Sequence, residues 1–339
     1  MKVGLTYDLR ADYLAAGYGE EETAEFDRPD TIDAIEGAVR SLGYRTDRIG
    51  NIRQLVSRLA AGDRWDMVFN IAEGLRGVAR EAQVPALLDA FEIPYTFSDP
   101  LVSALSLDKA TTKRVLRDLG VRTTDFAVVS NEADLAGVDL PYPLFVKPLA
   151  EGTAKGIDGR SRVGSPQELA WACRRVLNTN QQPALIEPFL PGREFTVGIT
   201  GTGDRAVAVG TLEVELLAGA ELHSYTYVNK ERCEELCRYV LANGAYAEEA
   251  EALSLAAWRG LGCRDAGRVD LRADGNGRLN VMEINPLPGM HPEHSDLPIL
   301  CTAVGMPYIE LIRRIMQSAE TRLESATRRP AALARSGSG

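Results

Sequence analysis

The segment GRVDLRADGNGRLNVMEIN, residues 267–285, constrains this chain more than any other stretch. Two apolar runs flank ADGNG, a turn signal, so the segment reads as a β-hairpin. Along a strand, residues two apart face the same side. Arg268 and Asp270 therefore share a face, as do Glu283 and Asn285, and closing the hairpin brings the two pairs together across the strands. The loop that follows, PLPGMHP, holds three prolines and a glycine in seven residues, which stiffens the exit from the second strand. Converging carboxylate and amide oxygens suit Mg²⁺, an ion commonly held by one or two carboxylates together with substrate phosphates. The plainer reading is a solvated hairpin face with cross-strand ion pairs.

At 339 residues the chain can build two or three domains with sizeable cores. The fold class expected is α/β. MKVGLTYD reads as a strand, PDTIDAIEGAVRSLG as a helix with Asp30 as its N-cap and Gly43 as its stop, and YRTDRIG as a strand. NIRQLVSRLA is then a helix, WDMVFNI a strand, QVPALLDAF a helix and IPYTFSD a short strand. This alternation predicts an N-terminal parallel sheet over residues 1–100, on the substrate side. Residues 101–190 read as a small α+β unit. Residues 191–320 read as a larger α+β unit with strands EFTVGITG and AVAVGTLEVELL, helices around 231–262, the hairpin and a last helix, PYIELIRRIMQSAETRL. Residues 321–339 lack periodicity and are expected to be a disordered tail.

The formal charge of −10 leaves no excess of Lys and Arg to neutralise phosphates, so neither nucleic acid nor a membrane surface is an expected partner. No apolar run approaches the roughly 18 residues of a membrane span. The N-terminus reads as a strand rather than a signal peptide, which predicts a cytoplasmic protein. Five cysteines without a CxxC pattern read as reduced thiols, with Cys233 and Cys237 expected on one helix face.

Three further segments bear on chemistry. AEGTAKGIDG follows the strand YPLFVKPL; its small residues leave backbone N–H groups free to wrap an anion, with Lys147 and Lys155 nearby. It lacks the P-loop spacing and alone reads equally as a surface turn. PALIEPFLPGREF runs a buried strand into Glu187 and on to Glu194; the backbone at Pro188 and Leu190 could read an adenine, with Glu194 on the ribose, although an ordinary edge strand is the plainer reading. SYTYVNKE places Tyr225, Tyr227 and Lys230 in a polar stretch. The three histidines show no metal-ligand spacing.

Taken in order, SALSLDKATTK, LFVKPLAEGTAKG, ALIEPFLPGREFTV, SYTYVNK, AGRVDL and VMEINPLPGMHPEHS resemble the D-alanine–D-alanine ligase branch of the ATP-grasp superfamily. The resemblance spans about residues 65–315. It implies an ATP-grasp fold behind an N-terminal parallel-sheet domain. The implied enzyme phosphorylates a carboxylate with ATP and lets an amine attack the acyl phosphate, forming an amide or dipeptide. Lys109, Lys147, Gly152 and Thr153 would then meet the ATP phosphates, Glu187, Pro188 and Leu190 the adenine, and Glu194 the ribose. Asp270, Glu283 and Asn285 would hold two Mg²⁺ ions, with Mn²⁺ as the substitute. Arg268, Lys230 and Thr153 would act at the reacting groups, and Tyr225 and Tyr227 would lie in the loop that closes over ATP. Gly289 and Met290 would offer a backbone cradle, and His294 or Ser295 would lie near a substrate carboxylate. The branch further implies amino-acid-like small-molecule substrates and a homodimer.

The departures from the branch fall on the first-substrate side. AEGLRGVAREAQ stands where a His-Gly stretch and an acidic cluster are usual, so Glu73 replaces the His, and Arg80 with Glu81 replaces the acids. Thr153-Ala154 stands for Ser-Ser, and Lys230-Glu231 for Lys-Tyr. Glu25, Asp27 and Asp30 are the candidates for the glutamate that holds the first substrate's ammonium. D-alanyl-D-alanine or a related dipeptide is the leading product; ligation of other amino acids, or of an amino acid to a larger acid or ketone, is the alternative. A non-catalytic nucleotide-binding protein is the third reading.

Overall fold

The computed structural model describes residues 1–220 and 232–327. It opens with β1 (Lys2–Thr6), which pairs in parallel with β2 (Arg45–Gly50) on one side and β3 (Met67–Asn70) on the other. Parallel neighbours need long crossovers, and these carry α1 (Arg10–Ala15), α2 (Pro29–Ser41) and α3 (Ile52–Ala60). The N-cap of α2 is Arg28, not Asp30. Pro29 takes the first helical position, where its missing N–H costs nothing, and this pushes the cap one residue back. α4 (Gln83–Ala90) and α5 (Pro100–Leu107) follow. IPYTFSD does not extend the sheet: it makes one bridge, Tyr95 to Val68. The chain turns away at Phe97, whose φ is +70° and whose N–H donates to Asp265 Oδ2 at 2.8 Å.

α6 (Lys109–Asp118) leads to an antiparallel sheet of β4 (Ala127–Val129), β5 (Leu144–Pro148), β6 (Arg162–Val163) and β7 (Ala184–Pro188), in the order β4-β7-β5-β6. Its core packs Leu144, Val146 and Ile186 against Leu169, Ala172 and Cys173, three residues of α7 (Pro166–Arg175).

The last sheet holds β8 (Glu194–Thr200), β9 (Val207–Leu216), β10 (Cys237–Leu241), β11 (Ala266–Ala273) and β12 (Leu279–Asn285), in the order β10-β9-β8-β11-β12. The expected helix over 231–262 is split. α8 (Cys233–Leu236) is one turn, β10 pairs with β9, and only α9 (Ala245–Leu261) is long. Cys237 therefore opens a strand and is not a helical residue. The open edge of β9 offers CRYVL a ladder that outweighs its local helical neighbours. Cys173, Cys237, Cys263 and Cys301 are buried thiols.

α10 (Asp296–Ala303) and α11 (Tyr308–Thr327) close the chain. The pattern predicts a last helix to Leu323; α11 runs on to Thr327, so residues 324–327 are helical rather than a loose tail. Its inward face, Leu311, Ile312, Ile315, Met316 and Ala319, shares one core with Val3, Leu5, Ile32, Ile35, Val39 and Phe69. The two ends of the chain thus bury each other. Among the described residues, no helix is long and apolar enough to cross a membrane.

Candidate active site

β11 and β12 pair as the alternation predicts, with Arg268 opposite Asn285 and Asp270 opposite Glu283, and a bulge just after Asp270. Arg268 Nη1 donates to Asp270 Oδ2 and lies 3.4 Å from Asp296 Oδ2. Asn285 Nδ2 donates to Asp270 Oδ2 at 3.1 Å, and Thr196 Oγ1 donates to Asp270 Oδ1 at 2.9 Å. The Asn285 bond uses an N–H and not the amide oxygen. Glu283 Oε2 lies 3.5 Å from Lys109 Nζ. Burial alone would lower the Arg268 pKa, but Asp270, Asp296 and Glu283 outweigh it and hold the guanidinium charged. The four hairpin groups therefore converge.

Arg268, Asp270 and Glu283 open on a cleft between the second and third sheets of about 920 Å³, the space at its open mouth included. Lys109, Lys147, Glu187, Pro188, Leu190, Glu194, Arg268, Asp270 and Glu283 line it, and so do Ala154 and Lys155 of the Gly-rich loop. Its apolar walls are Phe145, Ile157, Phe189 and Met282, which the sequence reading did not single out. Strand alternation around a recognised site is the signal that could have found Phe145, two residues from Lys147; Met282, next to Glu283, is the residue skipped at the bulge in β12, which no alternation reveals. Glu194 faces Arg272 at 3.3 Å.

Two expectations about the cleft change. The Glu187 carboxylate is not free for a nucleotide: it lies 2.6 Å from Lys113 Nζ and 2.7 Å from Lys147 Nζ. Burial pushes this carboxyl up, but the two lysines outweigh it and hold it at about 2. Met290 is fully buried in the core shared by the chain ends, and its carbonyl accepts from Tyr308 Oη at 2.8 Å. Of the pair Gly289 and Met290, only Gly289 lines the pockets beside the hairpin.

One such pocket, of about 650 Å³, joins the cleft through Lys109, Glu151, Arg268 and Glu283. Gly152, Thr153, Glu25, Glu73, Glu81, Asn285 and Gly289 also line it. A wider one, of about 1380 Å³, holds Asp27, Arg28, Thr153, Arg268, His291, His294, Ser295 and Asp296. Ser295 Oγ accepts from the His291 N–H at 2.9 Å. Asp30 is exposed at this rim, paired with Arg28 at 2.6 Å and 3.4 Å from His291 Nε2.

Arg80, expected at the substrate, is buried behind the pocket wall instead. Its guanidinium donates to Ala150 O at 2.9 Å and to both Glu25 oxygens at 3.2 and 3.3 Å. Lys155 Nζ bridges Glu25 at 2.7 Å and Glu151 at 2.6 Å. Burial raises the Glu25 carboxyl, yet Arg80 and Lys155 reverse this and keep it ionised. Glu25 Oε1 also accepts from the Gly152 N–H at 2.8 Å, and a Cβ on Gly152 would sit 2.2 Å from that oxygen. A side chain at 152 would break this contact. Thr153 and Ala154 have φ of +49° and +55°, a costly conformation for a β-branched residue and one that clusters at functional loops. Burial, then Glu81 and Glu25, raise the Glu73 carboxyl well above its ordinary value, and burial, then Glu25, raises Glu81 to about 7. Burial, then Asp8, likewise raises Asp27. Tyr225, Tyr227 and Lys230 lie outside the described residues.

Among the described residues no three His, Cys, Asp or Glu side chains cluster as a complete metal cage. Two carboxylates and an amide fit Mg²⁺ that draws its other ligands from phosphates and water.

The fold and this site define the class: an ATP-grasp ligase. Comparison narrows it. Residues 115–317 match the family model described as the D-ala D-ala ligase C-terminus. The chain is 34% identical over 278 residues to a D-alanine–D-alanine ligase of Bordetella petrii, covering 81% of this chain and 82% of the relative. It is 34% identical over 300 residues to one of Methylobacterium radiotolerans, covering 85% and 90%. The crystal structure of the D-alanine–D-alanine ligase from Bacillus anthracis complexed with ATP superposes with a TM-score of 0.71 at 21% identity, over 96% of this chain and 99% of that one. The chain belongs to the D-alanine–D-alanine ligase family.

Proposed function

We propose that this protein is an ATP- and Mg²⁺-dependent ligase that joins two amino acids, with D-alanyl-D-alanine or a related dipeptide as product. The observation that carries the reading is the convergence of Asp270, Glu283, Asn285 and Arg268 where a cleft lined by Lys109 and Lys147 meets the adjoining pocket. The names of the relatives support the same activity.

Asp270, Glu283 and the Asn285 oxygen would hold the Mg²⁺, two ions in our reading. Bound there, the metal would spread the charge of the transferring phosphoryl group. Lys109 and Lys147 neutralise the other phosphate oxygens, and Phe145, Ile157, Phe189 and Met282 cover the base. A substrate carboxylate oxygen attacks the γ-phosphorus and ADP leaves. The free amine of the second substrate then attacks the acyl carbon, inorganic phosphate leaves with the C–O electron pair, and the amine's proton passes to solvent. Arg268, charged throughout, faces the oxyanion that forms at that carbon. Gly289, Ser295 and His294 sit where the second substrate's carboxylate would dock. Residues 1–100, 101–190 and 191–320 would be the three working units, in a cytoplasmic homodimer.

The test is ADP release from ATP with D-alanine as sole substrate. Turnover that saturates in D-alanine and yields a dipeptide is expected; no turnover at high concentration overturns the D-alanine product. The binding of Arg80 to Glu25 favours a second reading, ligation of a different amino acid, because it builds the first-substrate wall from a closed ion network. ADP release across a panel of amino acids separates the two.

A further inference from the structure

Beneath the nucleotide cleft lies a lysine that never reaches it. Lys113 sits one turn after Lys109 on α6, and its side chain is 1% exposed. All three ammonium N–H bonds have acceptors: Glu187 Oε1 at 2.6 Å, Thr123 Oγ1 at 2.8 Å and Thr124 Oγ1 at 3.1 Å. The Thr124 hydroxyl itself donates to Glu187 Oε1 at 2.6 Å, and Thr123 donates to Val281 O on β12 at 2.7 Å. The other Glu187 oxygen takes Lys147 Nζ at 2.7 Å. One buried carboxylate is thus shared by two ammonium groups. Only one of these, Lys147, lines the cleft.

The charge balance decides what the cleft feels. Lys147 with Glu187 alone would be a neutral pair, which attracts phosphate weakly. Adding Lys113 leaves the trio at +1, and the excess is presented by Lys147. A bare buried ammonium could not fill that role cheaply, because an unpaired charge out of water shifts its pKa and loses its proton. Burial, helped by the neighbouring Lys147 charge, lowers the Lys113 pKa while Glu187 opposes this; at Lys147, Glu187 and Glu283 outweigh burial and raise the pKa.

We propose that Lys113 is a positioning residue for nucleotide binding: by taking half of Glu187 it leaves Lys147 a net positive charge toward the phosphates. This rests on Lys147 meeting those phosphates, as proposed above. The arrangement also ties α6, β5, β7 and β12 to one buried point, so Lys109 and Lys147 approach the cleft in fixed relation.

The experiment measures the affinity of a non-hydrolysable ATP analogue by titration calorimetry, with melting temperature followed in parallel. Lys113→Met should weaken the analogue by about tenfold, as removal of one poorly screened charge implies, and leave the KM for the amine substrate unchanged. Lys113→Met combined with Glu187→Gln restores the +1 balance through Lys147 and should return affinity to within about threefold of the parent. A purely structural Lys113 would give no such rescue. Unchanged affinity in Lys113→Met, or a double variant no better than the single one, overturns the inference. Should Lys113→Met fail to fold, the same loss is read by adding it to Glu187→Gln, and no loss there overturns it as well. Lys147→Ala separates the two levels. Weakened binding there beside an unaffected Lys113→Met sinks the inference alone; unchanged binding in Lys147→Ala sinks the placement of Lys147 and the inference with it.

Discussion

At the scale of single residues, the hairpin oxygens carry the sharpest test. Glu283→Gln keeps the shape of the side chain and removes one ligand charge. Turnover is expected to fall by at least two orders of magnitude, in line with losses of key electrostatic groups, while the thermal melt stays within a few degrees. Activity near the parent level would remove Glu283 from the reacting centre. Glu81 offers a second test. Burial and Glu25 raise its carboxyl to about 7, from an ordinary 4.5. The folded state therefore binds this proton more tightly than the unfolded chain. The resulting stabilisation is full below about pH 4.5 and is lost as pH rises through 7. Glu81→Gln should flatten that part of the stability profile and be relatively more stable at pH 8; denaturant midpoints at pH 5 and pH 8 read the difference. Equal slopes for variant and parent would mean that Glu81 is already ionised.

At the scale of elements, α11 and the loop after α9 show what local pattern misses. Asp265 has φ of +63° and is fully buried. It accepts from Arg322 at 2.5 and 3.1 Å, from the Phe97 N–H at 2.8 Å and from Thr202 Oγ1 at 3.2 Å. This one carboxylate fastens the last helix to the end of the N-terminal unit. Arg322→Met leaves that charge without its cation and should cost about 3–5 kcal/mol, measured by urea unfolding; a cost below about 1 kcal/mol would place the pair among ordinary surface bridges. Residues 324–327 read as tail because their polar run carries little helical periodicity. Asp265, far away in sequence, gives Arg322 its reason to stay ordered.

At the scale of the molecule, the core joining β1, α2 and β3 to α11 makes the N-terminal sheet dependent on the last helix. Deleting residues 308–327 would expose Val3, Leu5, Ile32, Ile35 and Phe69 together. The truncated chain is expected to be insoluble or to lose near-ultraviolet circular dichroism, and a soluble, cooperatively melting product would contradict the shared core. The same closure brings Glu25 and Arg80, from the N-terminal unit, against Glu151, Gly152 and Lys155. This side of the pocket therefore exists only in the assembled molecule.

What the amino-acid sequence determined unaided was the local chemistry: the alternation of β11 and β12, the pairing of Asp270 with Glu283 and the parallel start. These follow from periodicity and turn residues a few positions apart. Tertiary structure alone decided that Glu187 would be consumed by two lysines, that Arg80 would brace Glu25, that Met290 would enter the core and that CRYVL would pair as a strand. Each depends on partners tens to hundreds of residues away. The charge and burial of a side chain are properties of everything packed around it, and no spacing along the chain encodes them directly.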